Sequence, residues 1–190
     1  LAALLAERGL QVQFWGRDKV LMDEIHTTRR NTRYLPGLHL PDSILSTSNL
    51  GAIAPAELIV FAVPSKGIRD TAQAVAEAGL HHQARVIISC TKGIELHSGK
   101  RMSEILQELL TGPRHAVLTG PNHAEEVAQR LATAAVLACA DQETARATQT
   151  CFTLPWFRCY TTDDVAGVEW AGAMKKPYAI TAGIARGLKL

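Results

Sequence analysis

A chain of 190 residues has room for one full domain, or for one domain and part of a second. Its net charge of +2, with 47% hydrophobic and 20% charged residues, is that of an ordinary globular protein and leaves no electrostatic footprint for nucleic acid. Its most apolar stretches, such as "LIVFAVP", are strand-length, so no membrane span is expected.

The opening "LAALLA" has no basic leader and runs at once into Glu7 and Arg8, so it does not read as a signal peptide. Residues 1–8 read instead as a helix already under way, followed by the strand "LQVQFWG" (10–16) and a Trp-Gly-Arg turn. Helical periodicity returns over 18–31, and the proline-rich "YLPGLHLPDS" then predicts a surface loop. Further strands are expected at 57–64, 84–90, 115–120, 133–140 and 158–162, with helices at 66–79, 99–110, 123–131 and 142–152 between them. Several strands are apolar throughout, which suits a parallel sheet covered on both faces. From Asp163 the pattern becomes one long helical run. The expected fold class is therefore α/β: a doubly wound sheet over residues 1–162, then the first helix of a second, helical unit over 163–190.

The cysteines (Cys90, Cys139, Cys151, Cys159) show no CxxC spacing and read as reduced thiols of a cytoplasmic protein. The seven histidines have no metal-ligand spacing, so no metal is expected.

In a dinucleotide-binding βαβ unit, the first strand enters a glycine-rich turn, and the following helix holds the pyrophosphate at its N-terminus. If residues 1–8 are the body of that helix, its strand and glycine loop lie ahead of Leu1. About 20 residues past such a loop comes the residue that reads the adenosine ribose, and "WGRD" (15–18) falls there. Arg17 suits a 2′-phosphate and favours NADP, while Asp18 keeps NAD open. A solvated arginine at a strand end is the plain alternative.

Three later stretches follow strands, where open α/β sheets bind their ligands. In "FAVPS", Pro64 ends the strand and Ser65 can cap the next helix, with the backbone forming a wall against a cofactor. In "SCTKGIE", Lys92 holds an ammonium at the sheet's carboxyl edge, suited to an anionic group. In "LTGPNHAEEVA", Gly120 lets backbone approach a ligand, and Asn122 can cap a helix carrying Glu125 and Glu126. Ordinary strand-to-helix turns use the same residue types. On the last helix, Val165, Val168, Gly172 and Lys175 share one stripe, which puts Lys175 on the packed face and pairs Lys176 with Glu169 on the polar side. Burial and a second ammonium such as Lys92 would lower the pKa of Lys175 toward that of a general base.

In order, "WGR", "YLPG", "VPS", "CTKGIE", "GPNHAEEVA" and "DDVAGVEWAGAMK" resemble the bacterial-type NAD(P)-dependent glycerol-3-phosphate dehydrogenases, and the resemblance covers the whole chain. It implies a Rossmann domain, then an all-α domain that is truncated here. The implied reaction interconverts dihydroxyacetone phosphate and sn-glycerol 3-phosphate for glycerophospholipid synthesis, with a homodimer as a further expectation. By position, Arg17 and Tyr34 would contact the cofactor, Lys92 both cofactor and substrate, and Ala124 the cofactor. Gly120 and Asn122 would line the substrate, Asn122 standing where the family usually has Ser or Thr, and Lys175 would be the proton acceptor and a substrate contact. The family follows its lysine with Asn and an aliphatic residue; here Lys176 and Pro177 follow, and Pro177 predicts a kink or break. Without the glycine loop and the helical domain's Arg-Asn pair, no turnover is expected of these residues alone. Two other readings are a two-domain hydroxyacid reductase and a non-catalytic dinucleotide sensor.

Overall fold

The computed structural model describes residues 1–189. In chain order the elements are α1 (Ala2–Glu7), β1 (Val12–Trp15), α2 (Lys19–Thr28), β2 (Arg30–Asn31), β3 (Leu35–His39), β4 (Ile44–Thr47), β5 (Leu58–Phe61) and α3 (Ile68–Glu77). Then follow β6 (Val86–Ser89), α4 (Met102–Leu109), β7 (Arg114–Thr119), α5 (Ala124–Ala128), β8 (Thr133–Ala138), α6 (Gln142–Phe152), β9 (Phe157–Thr162) and α7 (Val165–Gly187). The architecture is Rossmann-like α/β with parallel pairing dominant.

The sheet comes in separate pieces. β1 pairs in parallel with β4, while β5 to β9 form a five-stranded sheet in sequence order. Within that sheet β8 runs antiparallel to β7, against the expectation of an all-parallel sheet. Between Thr119 and Thr133 the only helix is the five-residue α5. That is too little to cross a sheet face and return in parallel. β3 replaces part of the expected loop and makes a small antiparallel hairpin with β2, and β4 follows as a strand that was not expected. α2 ends at Thr28 rather than 31 because Arg29 turns left-handed, with φ 57°.

Strand alternation builds two cores. Val86 and Ile88 of β6 face α1 and α6, joining Leu4, Leu5, Leu137, Phe152 and Phe157. Ile87 faces the other way, into Ile68, Ala72, Met102, Ile105 and Leu106 of α3 and α4. Phe152 and Phe157 are fully buried, each contributing about 1.5–3 kcal/mol by burial. A third cluster, Met22, Ile25, Leu40 and Ile44, seats α2 on the β1–β4 pair.

α7 runs through Pro177 without the predicted break. The ring removes one backbone donor from a 23-residue helix, and the turns on either side hold. Among the described residues, no helix is long and apolar enough to cross a membrane, no metal-binding cluster occurs, and the cysteines are free.

Candidate active site

At the carboxyl ends of β5, β6 and β7 lies a cavity of about 890 Å³. Val63, Pro64 and Ser65 form one wall, Cys90, Thr91 and Lys92 the floor, and Gly120, Asn122 and Ala124 the far side. Thr91 Oγ1 donates to the carbonyl of Val63 across 2.7 Å, tying the ends of β5 and β6 together. Gly93 has φ +134°, and a Cβ there would stand 3.1 Å from that of Ser65, so a glycine is favoured after Lys92 by its backbone conformation and by the close Ser65 side chain. Ser65 itself starts a 3-10 turn and does not cap α3, whose preceding residue is Gly67.

Lys92 Nζ donates to the carbonyl of Gly120 at 2.9 Å. A Cβ on Gly120 would sit 2.5 Å from the Ala134 carbonyl oxygen, so only glycine lets β8 pass this closely. Asn122 is not the cap of α5; His123 precedes that helix and gives no side-chain bond. Instead the Asn122 Oδ1 is buried with no hydrogen-bond partner. Ala124 opens α5 and is exposed.

α7 closes over the edge of this site. A Cβ on Gly172 would lie 3.6 Å from Lys92 Cγ and 3.5 Å from Thr119 Oγ1, so the helix rests on the lysine's stem. Loss of solvent, then the neighbouring Lys175 ammonium, hold the Lys92 amine below its ordinary value. Lys175 follows one helical turn after Gly172 but does not line the cavity. Lys175 itself is exposed, not packed as expected. The packing stripe ends at Gly172 and Ala173, and residues 174–184 are all exposed.

Glu169 also departs from expectation. It does not pair with Lys176; its side chain is only 3% exposed and accepts from Arg101 Nη1, the Ser103 hydroxyl and the Ser103 N–H. The sequence signal was present: Glu169 lies four residues after Val165 and three before Gly172, on the same stripe.

Arg17 follows β1 and reaches toward the end of β5, its Nη2 3.7 Å from where a Cβ on Gly67 would lie. Asp18 is occupied: it caps α2 by accepting from the Leu21 N–H and pairs with Arg33 at 3.2 Å. Arg33 stacks over the exposed Tyr34 ring at 5.1 Å. Neither Arg17 nor Tyr34 lines the cavity that holds Lys92, although Leu35 and Leu38 of the Tyr34 hairpin do.

Residues 1–145 match the family model described as NAD-dependent glycerol-3-phosphate dehydrogenase N-terminus. The chain belongs to the glycerol-3-phosphate dehydrogenase family. A Chlorobium limicola protein named glycerol-3-phosphate dehydrogenase (NAD(P)+) is 43% identical over 192 residues, covering 99% of this chain and 57% of that protein. One from Moorella thermoacetica is 42% identical, covering 100% of this chain and 56% of its own length. Among solved structures, glycerol-3-phosphate dehydrogenase from Coxiella burnetii superposes with a TM-score of 0.89 at 31% identity, covering 100% of this chain and 57% of that one. The chain thus spans a little over half the length of the curated relatives it matches. Neither the hydroxyacid reductase nor the sensor reading gains support: the likeness to D-mandelate dehydrogenase, at 9% identity and a TM-score of 0.61, is one of fold alone.

Proposed function

We propose that this chain is the dinucleotide-binding part of a glycerol-3-phosphate dehydrogenase, with the start of its helical domain, interconverting sn-glycerol 3-phosphate and dihydroxyacetone phosphate with NAD(P)(H). The observation that carries the reading is Lys92, bonded to Gly120 in the cavity and overlain by Gly172 of α7, with Lys175 one turn further along that helix. An ammonium in the cavity, with a second lysine one turn past the helix contact above it, suits an anionic, phosphorylated substrate. Lys175, as the neutral amine, takes the hydroxyl proton of the substrate in oxidation, and the ammonium so formed returns it to the carbonyl oxygen in reduction. Lys92 holds the same oxygen by hydrogen bond and stabilises negative charge as it develops there. Gly120 and Asn122 line the substrate, and Ala124 lies against the cofactor.

The residues present fit a dinucleotide. Arg17 makes no ion pair among the described residues and so leaves a guanidinium for a phosphate, while the orphaned Asn122 Oδ1 inside the cavity is left for a donor of the substrate. A bound nicotinamide dinucleotide would supply or accept the hydride. Arg17 and the Arg33–Tyr34 stack would hold its adenosine end, and the engagement of Asp18 in a cap and an ion pair supports NADP over NAD. The split between the β1–β4 pair and the five-stranded sheet supports a further strand, with its glycine loop, between β1 and β5. The free cysteines support a reducing compartment such as the cytoplasm, where the product would feed glycerophospholipid synthesis.

The test is NADPH oxidation by the complete polypeptide that contains this chain, offered dihydroxyacetone phosphate and, in parallel, 2-ketoacids. The reading requires turnover of the phosphate ester alone and its loss by about a thousandfold or more in Lys175→Ala. Turnover of the ketoacids instead would overturn it.

A further inference from the structure

A carboxylate buried at a helix contact is costly unless fully bonded, and an apolar residue of similar size fills such a place as well or better for stability. Glu169 is such a group. Its two oxygens receive three donors: the Arg101 guanidinium at 2.9 Å, the Ser103 N–H at 2.9 Å and the Ser103 hydroxyl at 2.5 Å. The Ser103 N–H lies in the first turn of α4 and has no partner within that helix, and a negative charge suits that end of the helix. Arg101 is in turn held by Glu104 at 2.8 Å.

What such an arrangement supplies is direction. Apolar faces tolerate sliding, whereas hydrogen bonds weaken steeply with angle and distance. Three donors on one carboxylate therefore set both the rotation of α7 and its position along its axis. Gly172, one turn on, then rests on the stem of Lys92. Lys175 follows six residues after Glu169, about 9 Å further along the axis, on a stretch that is otherwise exposed. Slippage of α7 by one residue would turn Lys175 by about 100° and carry it away from Lys92.

We propose that Glu169 is a positioning residue: its buried carboxylate, gripped by Arg101 and Ser103, fixes the register of α7 so that Gly172 rests on Lys92 and Lys175, one turn on, falls within electrostatic reach of it. Its relevance to catalysis rests on the proposed role of Lys175 as proton acceptor.

The test needs no turnover. The titration of the Lys92 amine is followed by NMR of the 13C-lysine-labelled chain in wild type, K175A, E169Q and E169Q/K175A, with folding checked by circular dichroism. In wild type, K175A raises the Lys92 midpoint because a like charge is removed. In the E169Q background that same substitution shifts it by roughly half as much or less, the two positions having lost their coupling. An equal shift in both backgrounds would overturn the proposal, as would the absence of any shift in wild type. Should E169Q not fold, S103A takes its place, removing one donor and leaving the Arg101 pair, with the same two readings. A coupling that collapses as expected in a protein that never oxidises glycerol 3-phosphate keeps the pin and sinks only the function.

Discussion

The Lys92 ammonium and the Gly120 carbonyl, 2.9 Å apart, join the loop after β6 to the loop after β7. The bond exists because Gly120 has no side chain: a Cβ would stand 2.5 Å from the backbone oxygen of Ala134 on the neighbouring strand. Gly120→Ala must push β8 aside or turn its own carbonyl away. The expected cost is about 1–3 kcal/mol, read as a lower urea midpoint with an unchanged slope. Lys92→Met, which keeps the stem under Gly172 and removes only the donor, should cost less than that in stability. A Gly120→Ala chain as stable as wild type would show that the close approach is not needed.

After β1, Arg17 makes no ion pair among the described residues, while Arg33 is tied to Asp18. Arg17→Ala should weaken NADPH binding by about 10- to 100-fold, the worth of a charge-assisted phosphate contact, and leave NADH binding nearly unchanged. Fluorescence titration of the two reduced cofactors against the complete polypeptide measures the difference. Equal losses for both would assign Arg17 to a group the cofactors share.

How far the sequence alone carried the fold can be read from particular elements. The apolar runs around Val86–Ser89 and Thr133–Ala138 announced themselves, the first because both its faces are buried and the second because Ala135, Leu137 and Ala138 are, and Gly120 marked a real close approach. β4 was not visible: Ile44–Thr47 is four residues long, half polar, and follows a proline-aspartate turn. The direction of β8 was not visible either, since an apolar run has no polarity; only the brevity of α5 reveals it. In the site, the meeting of Lys92 and α7 followed from helical spacing and strand ends. The burial of Glu169 was legible only in its spacing from Val165 and Gly172; a glutamate beside lysines otherwise looks solvated until the donors of α4 are brought to it by tertiary packing. The exposure of Lys175 had a similar cause: the stripe was legible, but not where the sheet beneath it stops.

Pro177 gives a local prediction. Proline costs about 3 kcal/mol relative to alanine inside a helix, and the turns around it are exposed. Pro177→Ala restores one backbone donor, so amide exchange at 178–184 should slow by about tenfold or more. Global stability should barely change, because the buried contacts of α7 lie before Ala173. Hydrogen exchange read by mass spectrometry separates the two effects. Unaltered exchange would mean that this half of α7 opens for reasons other than its proline.

The last prediction concerns pH and the face of the sheet remote from the cavity. His81 is buried, its Nδ1 has no partner, and its ring lies 4.1 Å from that of His82. Burial first, and then the His82 charge, hold its pKa below the ordinary histidine value, against a backbone bond with Val75 that raises it. His115 is lowered in the same sense by burial, opposed by its bond to the Leu110 carbonyl. The folded state thus binds protons less readily at both rings than the unfolded chain does. Stability is fully present above the unfolded value of about 6.5 and declines as pH falls through it toward the lowered folded values. Each ring contributes a slope of at most about 1.4 kcal/mol per pH unit in that window. Urea unfolding between about pH 7.5 and 5.5 should therefore show a falling midpoint, and His81→Leu should flatten that fall by one ring's share. An unchanged slope in His81→Leu would mean that His81 takes up its proton as easily in the folded chain as in the unfolded one.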